Sequence, residues 1–162
     1  MRQSAGSGTD LTYAGWRRLP NILHNLVVCA PADRVFAAIS TPGGLNQWWT
    51  LTSDGEPVQG ATFALGFGPG YDWRARVSRI DPARCFELEL VEAMPDWLGT
   101  RVSFELDEAS QGQTQLRFAH LGWAEASEHY RTSSFCWAMY LRLLRRAVEH
   151  GEVVPYEERL DA

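Results

Sequence analysis

The spacing of apolar side chains along the 162 residues changes twice, and each change marks a change of element. Leu23 to Cys29 is an aliphatic, β-branched run that stops short of Pro31 and predicts a first strand. Ala30-Pro31-Ala32-Asp33 then opens a short helix with Val35, Phe36 and Ile39 on one face, since proline is tolerated in a first turn. Thr41-Pro42-Gly43-Gly44 breaks it, and a second helical turn follows with Leu45, Trp48 and Trp49. From residue 50 to 120 the period is two. Phe63, Leu65 and Phe67 alternate with small residues, Trp73, Ala75 and Val77 with Arg74, Arg76 and Ser78, and Phe86, Leu88 and Leu90 with Glu87 and Glu89. Val102, Phe104 and Leu106 alternate with Arg101, Ser103 and Glu105, and Leu116, Phe118 and His120 with Gln115, Arg117 and Ala119. One apolar and one charged face per strand predicts an antiparallel meander with one side in water.

Over Ser127 to His150 the period becomes helical. Tyr130, Ser134, Trp137, Leu141, Leu144 and Val148 form one stripe, while Arg131, Arg142, Arg146 and Glu149 should face water. Gly151 stands just past the end, with Pro155 beyond. A helix of that length spans about 36 Å, enough to cross a six- or seven-stranded sheet. A strand, two short helices, a meander and one long apolar-striped helix predict an α+β helix-grip fold, a curved antiparallel sheet wrapped around the C-terminal helix. Residues 1–20, polar and Gly/Ser-rich, read as a flexible arm; the domain runs over 21–157, and 158–162 is a tail.

Composition narrows the function classes. A net charge of -5 argues against a nucleic-acid partner, which wants a basic stripe. Cys29, Cys85 and Cys136 are too few and too widely spaced for a disulfide framework or a zinc site. His24, His120, His129 and His150 contain no H-x-x-x-H pair, so neither a metal nor another cofactor is expected. No apolar run reaches the ~20 residues of a membrane span, and free thiols without a signal peptide predict a cytoplasmic protein. Gly66-Phe67-Gly68-Pro69-Gly70 lies between two strands, so it reads as a hairpin and not as a phosphate loop.

Several short stretches resemble one family. They are Pro31-x-x-x-Val35-Phe36, Thr41-Pro42-x-x-Leu45-x-x-Trp48-Trp49-Thr50 and Asp96-Trp97-Leu98-Gly99-Thr100, followed by Arg117-Phe118-x-His120-x-Gly122-Trp123 and Trp137-x-x-Tyr140-Leu141 with Glu149-x-Gly151. In this order, over residues 22 to 156, they resemble the START-like (SRPBCC) superfamily. Within it they resemble the branch named after the activator of the ninety-kilodalton heat-shock chaperone's ATPase. The resemblance implies a helix-grip fold with an internal cavity, and relatives that range from lipid carriers to polyketide cyclases and co-chaperones. Those co-chaperones carry a separate N-terminal domain ahead of this one, so a chaperone partner is not expected here; a homodimer is left open.

Seven tryptophans are the outlier of the composition, and several fall on inward positions of different elements. An aromatic-lined pocket for a small hydrophobic, aromatic or lipid-like molecule is therefore expected, with Trp49, Phe63, Phe67, Trp73, Phe86, Phe104, Phe118, His120, Trp137 and Tyr140 as ligand-binding residues. Two readings stand for His120: a polar anchor or acid/base facing the cavity, or a histidine satisfied by a carbonyl or an indole N–H. Tyr130 and Tyr140 could offer hydroxyls. Asp72, Glu92 and Glu125 flank strand ends and read as solvated rim charges. No two titratable residues are placed together by the pattern, so no catalytic residue is assigned. A cofactor-free enzyme of polyketide cyclase/dehydratase type and a co-chaperone-like interaction module are the alternatives.

Overall fold

The computed structural model describes residues 19–162, so all but the end of the expected arm lies outside the described residues. Seven strands form one sheet: β1 (Ile22–Val28), β2 (Thr52–Asp54), β3 (Thr62–Gly66), β4 (Asp72–Asp81), β5 (Cys85–Glu92), β6 (Arg101–Ser110) and β7 (Gln113–Leu121). Their order is β1-β7-β6-β5-β4-β3-β2. β2 to β7 are a meander, and β1 closes the far edge by antiparallel pairing with β7. The alternation read from the sequence decides which side faces in. Ala75, Val77, Phe86, Leu88, Leu90, Val102, Phe104, Leu116 and Phe118 are buried. The opposite face carries cross-strand ion pairs such as Arg76–Glu89 at 2.6 Å and Arg79–Glu105 at 2.8 Å. Register shifts at Arg74/Ala75 and Val77/Arg79 fall in β4, where they increase the bend of the sheet. The three-residue β2 was not anticipated, being too short to show a period.

Helix α3 (Glu128–His150) packs along the concave face. It starts where the Ser127 hydroxyl accepts the Tyr130 N–H at 3.1 Å. It stops at Gly151, whose φ of 68° lies in the left-handed region and whose N–H reaches the Ala147 carbonyl at 2.9 Å. Trp137, Leu141, Leu144 and Val148 are buried as the stripe predicts, and Ser133, Met139, Leu143 and Ala147 join them because a helix cradled by a curved sheet touches it over more than one stripe. Glu149 does not face water. Its carboxylate takes the Cys29 N–H at 2.6 Å, while Arg34 donates to the Val148 carbonyl at 2.6 Å, so the C-terminal turn is tied both to the loop after β1 and to the helix that follows it.

Between β1 and β2 the chain forms α1 (Ala32–Ser40) and α2 (Pro42–Leu45). The Thr-Pro-Gly-Gly stretch read as a breaker is thus itself a helical turn, with the Thr41 hydroxyl accepting the Gly44 N–H at 3.1 Å and Pro42 in the first turn. The glycine permits the corner: a Cβ on Gly44 would lie 2.4 Å from the Ala37 carbonyl oxygen and 2.6 Å from the Ala38 Cα. Trp48 is wedged beneath, donating from Nε1 to the Ala38 carbonyl at 3.0 Å. After α3, a 3-10 helix (Tyr156–Asp161) occupies the stretch divided between domain and tail. Its Arg159, 3% exposed, donates to the carbonyls of Val154, Thr50 and Asn46 at 3.0, 3.1 and 2.7 Å. The end of the chain is thereby fastened to the turn that carries Trp48 and Trp49.

Gly44→Ala is expected to lower unfolding free energy by roughly 1–3 kcal/mol, because the clash is with backbone that cannot rotate away. Gly43→Ala meets nothing within 4 Å and should be neutral or stabilising by up to about 1 kcal/mol. Urea midpoints of the two variants check the contrast.

Candidate functional site

A cavity of about 400 Å³ opens between the first half of α3, the β3–β4 hairpin, the β5–β6 loop and the 3-10 helix. Five of its lining rings form a closed circuit. Trp49 contacts Phe67 with centroids 5.4 Å apart, Phe67 contacts Trp73 at 4.9 Å, and Trp73 contacts Trp97 at 4.9 Å. Trp97 stacks on Trp137 at 5.9 Å, and Trp137 returns to Trp49 at 5.0 Å. These separations are those of favourable tilted and offset aromatic pairs. Each ring comes from a different element: the turn after α2, the hairpin, β4, the β5–β6 loop and α3.

His120 holds two members of this circuit in place. It is fully buried on β7. Trp137 Nε1 lies 3.0 Å from His120 Nδ1, and an indole N–H can only donate, so Nδ1 is the acceptor. The imidazole proton therefore sits on Nε2 and is donated to the Thr100 hydroxyl at 2.8 Å, which donates in turn to the Trp97 carbonyl at 2.6 Å. Desolvation, with a smaller contribution from His129, pulls His120 down to about 3, so the ring is neutral. Both nitrogens are engaged and neither reaches the cavity. Of the two sequence readings, the geometry matches the histidine satisfied by an indole N–H.

The remaining lining residues have different chemistry. His129, Thr132, Ser133, Cys136 and Tyr140 come from α3, Tyr71 and Met94 from loops, and Tyr156 and Leu160 from the 3-10 helix. Tyr71 is 50% and Leu160 66% exposed, and they mark the mouth. Tyr156 donates its hydroxyl to the Phe67 carbonyl at 2.9 Å, fastening the 3-10 helix to the hairpin. Burial pushes Tyr140 up to about 12, Tyr156 and Cys136 adding to the rise and Arg159 opposing it, so the phenol stays protonated. Burial likewise raises the Cys136 thiol. His129 Nδ1 lies 3.0 Å from an Asp96 carboxylate oxygen. Among the described residues no group of three metal-ligating side chains comes together.

Five of the ten residues expected to line a pocket do so: Trp49, Phe67, Trp73, Trp137 and Tyr140. Phe63, Phe86, Phe104, Phe118 and His120 face the same concave side but lie in the packed interior. There α1 and Trp48 fill the space: Phe36 meets Phe86 at 6.4 Å, and Trp48 meets Phe104 at 6.1 Å. Facing inward and lining a cavity are different properties, because the cavity occupies only one end of the concave face. Tyr130 spends its hydroxyl on the Asn21 carbonyl at 2.9 Å. Asp72, Glu92 and Glu125 are exposed, with Glu92 paired to Arg74 at 3.3 Å. Nine further lining residues were not among those ten: Trp97 of the circuit, and Tyr71, Met94, His129, Thr132, Ser133, Cys136, Tyr156 and Leu160. Only the row His129-Ser133-Cys136-Tyr140 carried a usable signal, its helical spacing.

Residues 29–149 match the family model described as Activator of Hsp90 ATPase homolog 1-like protein. Among solved structures, the Aha1 dimer from Colwellia psychrerythraea is 30% identical with a TM-score of 0.75, the match covering 83% of this chain and 99% of that one. CalU16 from Micromonospora echinospora is 24% identical with a TM-score of 0.66, over 86% and 83% of the two chains. DynU16, from the dynemicin biosynthetic locus, is 20% identical with a TM-score of 0.69, over 82% and 48%. Comparison with curated proteins finds no match.

The buried imidazole makes stability depend on pH with a definite sign. Its pKa is about 3 folded against about 6.5 unfolded. The unfolded chain therefore binds the extra proton in that window, and stability falls as pH drops from about 6.5 toward 3, by up to about 1.4 kcal/mol per pH unit from this group. His120→Gln should cost roughly 1–3 kcal/mol at neutral pH and remove that share of the slope. Urea unfolding of both proteins between about pH 4 and 7 checks it: the gap between them should narrow as the pH falls, and a constant gap would mean His120 titrates normally.

Proposed function

This chain belongs to the Activator of Hsp90 ATPase homolog 1-like family, and from that premise we propose that it binds a small, largely apolar molecule in the cavity bounded by the five-ring circuit. The circuit itself is the observation that carries the reading. A packed core has no use for four tryptophans and a phenylalanine arranged around about 400 Å³ of open space, a volume within the ~300–1,000 Å³ of small-molecule sites. The surroundings favour binding over acid–base catalysis: His120 is neutral, buried and fully hydrogen-bonded, and Tyr140 is held protonated. CalU16 and DynU16 share the fold, and the biosynthetic locus named for DynU16 is compatible with small-molecule handling. The free thiols Cys29, Cys85 and Cys136 support a reducing, cytoplasmic setting. The dimeric Colwellia relative supports assembly as a homodimer, which sedimentation equilibrium would register as twice the mass of the chain.

The test is a thermal-shift screen against fatty acids, flavonoids, aromatic polyketides and sterols. A ligand at 100 times its Kd adds about 2.7 kcal/mol to stability, a shift of several degrees. Cys136→Phe, which puts a ring into the cavity, should abolish the response of any hit while leaving the fold intact. A screen in which no class shifts the melting temperature overturns the reading.

A further inference from the structure

Two kinds of surface, different in chemistry, line the cavity. One is the indole wall of Trp49, Trp73 and Trp97. The other is a row on α3: His129, Ser133, Cys136 and Tyr140 follow at steps of four, three and four residues, the spacing that keeps side chains on one helix face, and all four line the cavity.

His129 Nδ1 in this row is paired with Asp96, while three other polar atoms of the row are unspent. Hydroxyls beside α1 bond back to their own backbone, Ser40 to the Phe36 carbonyl and Thr41 to the Ala37 carbonyl, each at 2.7 Å. Ser133 is equally enclosed at 5% exposure, yet among the described residues its Oγ has no hydrogen-bond partner, and neither has Tyr140 Oη or His129 Nε2. At the Tyr140 end, the Arg159 guanidinium donates its hydrogen bonds to three carbonyls, and its positive charge acts on the Tyr140 phenol. A positive charge there favours an electron-rich oxygen. Ser133 and Tyr140 both line the cavity, so their unpartnered hydroxyls are available to a molecule bound there.

We infer that the cavity is built for a planar aromatic molecule carrying hydroxyl or carbonyl oxygens along one edge, its rings against the indoles and its oxygens toward Ser133 and Tyr140. The inference rests on the cavity-binding reading above and narrows it to a ligand class. Ser133 and Tyr140 are seven residues apart, about 10.5 Å along the axis at 1.5 Å per residue, a span that suits a small fused-ring system. A saturated chain would fill the same space but would forgo stacking and leave the hydroxyl row unpaired.

Calorimetric titration with three probes of equal carbon number tests this: a naphthalenediol with both hydroxyls on one edge, naphthalene itself, and decanoate. The diol is expected to bind most tightly, roughly 10-fold or more above naphthalene, since each neutral hydrogen bond is worth about 3- to 10-fold. Ser133→Ala and Tyr140→Phe should each weaken the diol by about 3- to 10-fold and leave naphthalene unchanged, a difference that general damage to the fold would not produce. Equal binding of diol and naphthalene, or variants that weaken both alike, overturns the hydroxyl-row inference while cavity binding stands. Decanoate binding as tightly as the diol overturns the aromatic class. No binding of any probe, together with a silent thermal-shift screen, overturns the cavity reading and this inference with it.

Discussion

Keeping one imidazole uncharged inside an apolar sheet is the constraint on which the cavity depends. Desolvation holds His120 neutral, and the donor-only indole of Trp137 then dictates which nitrogen carries the proton. Because the tautomer is fixed, the bond to Thr100 points one way, and Thr100 can hold the Trp97 carbonyl. A strand, a loop and a helix are thus joined through a single ring. Two of the five aromatic residues around the cavity inherit their positions from it. A charged imidazole would lose the Trp137 bond, since two donors would then meet.

The rest of the architecture divides the work between faces. On the convex side Arg76, Arg79 and Arg117 are matched by Glu89, Glu105 and Asp107, exposed pairs that add solubility more than stability. On the concave side α3 is fixed at both ends, by Ser127 at its start and by Arg34 and Gly151 at its finish. Its first half is therefore free to border an open space without losing its place. The 3-10 helix completes the mouth, anchored through Arg159 to the same turn that presents Trp49.

Most of this was legible in the order of residues, and the part that was not has a physical reason. Strict alternation from Trp73 to His120 announces the meander and its buried face, and Trp137-Leu141-Leu144-Val148 announces the long helix. β2 and the 3-10 helix escaped because three residues, or one irregular turn rich in charge, carry no period. For the site, sidedness could be read and depth could not. Phe63, Phe86, Phe104 and Phe118 point inward as surely as Trp73 does, yet they end in the core because Trp48 and α1 occupy their end of the concave face. The α3 row was obscured differently: Ser133 and Cys136 are small and contribute little to a hydrophobic pattern, so the stripe was phased on Tyr130 and Ser134 instead.

The pairing of β1 with β7 has a consequence for how the molecule comes into being. Ile22 sits opposite His120, so the ladder that seats the imidazole is closed by strands from opposite ends of the sheet's chain order. Such a seam is a non-local pairing, whose loop must close before its contacts can form. The rings that dry His120 come from outside that ladder: Trp97 and Trp123 lie 4.4 and 4.7 Å from it, and Trp137 arrives with α3. The meander can assemble from neighbouring hairpins before β1 joins it. β1, the first strand of the chain, therefore has no partner until β7, the last, has been made, and the edge of the sheet closes only when nearly the whole domain exists.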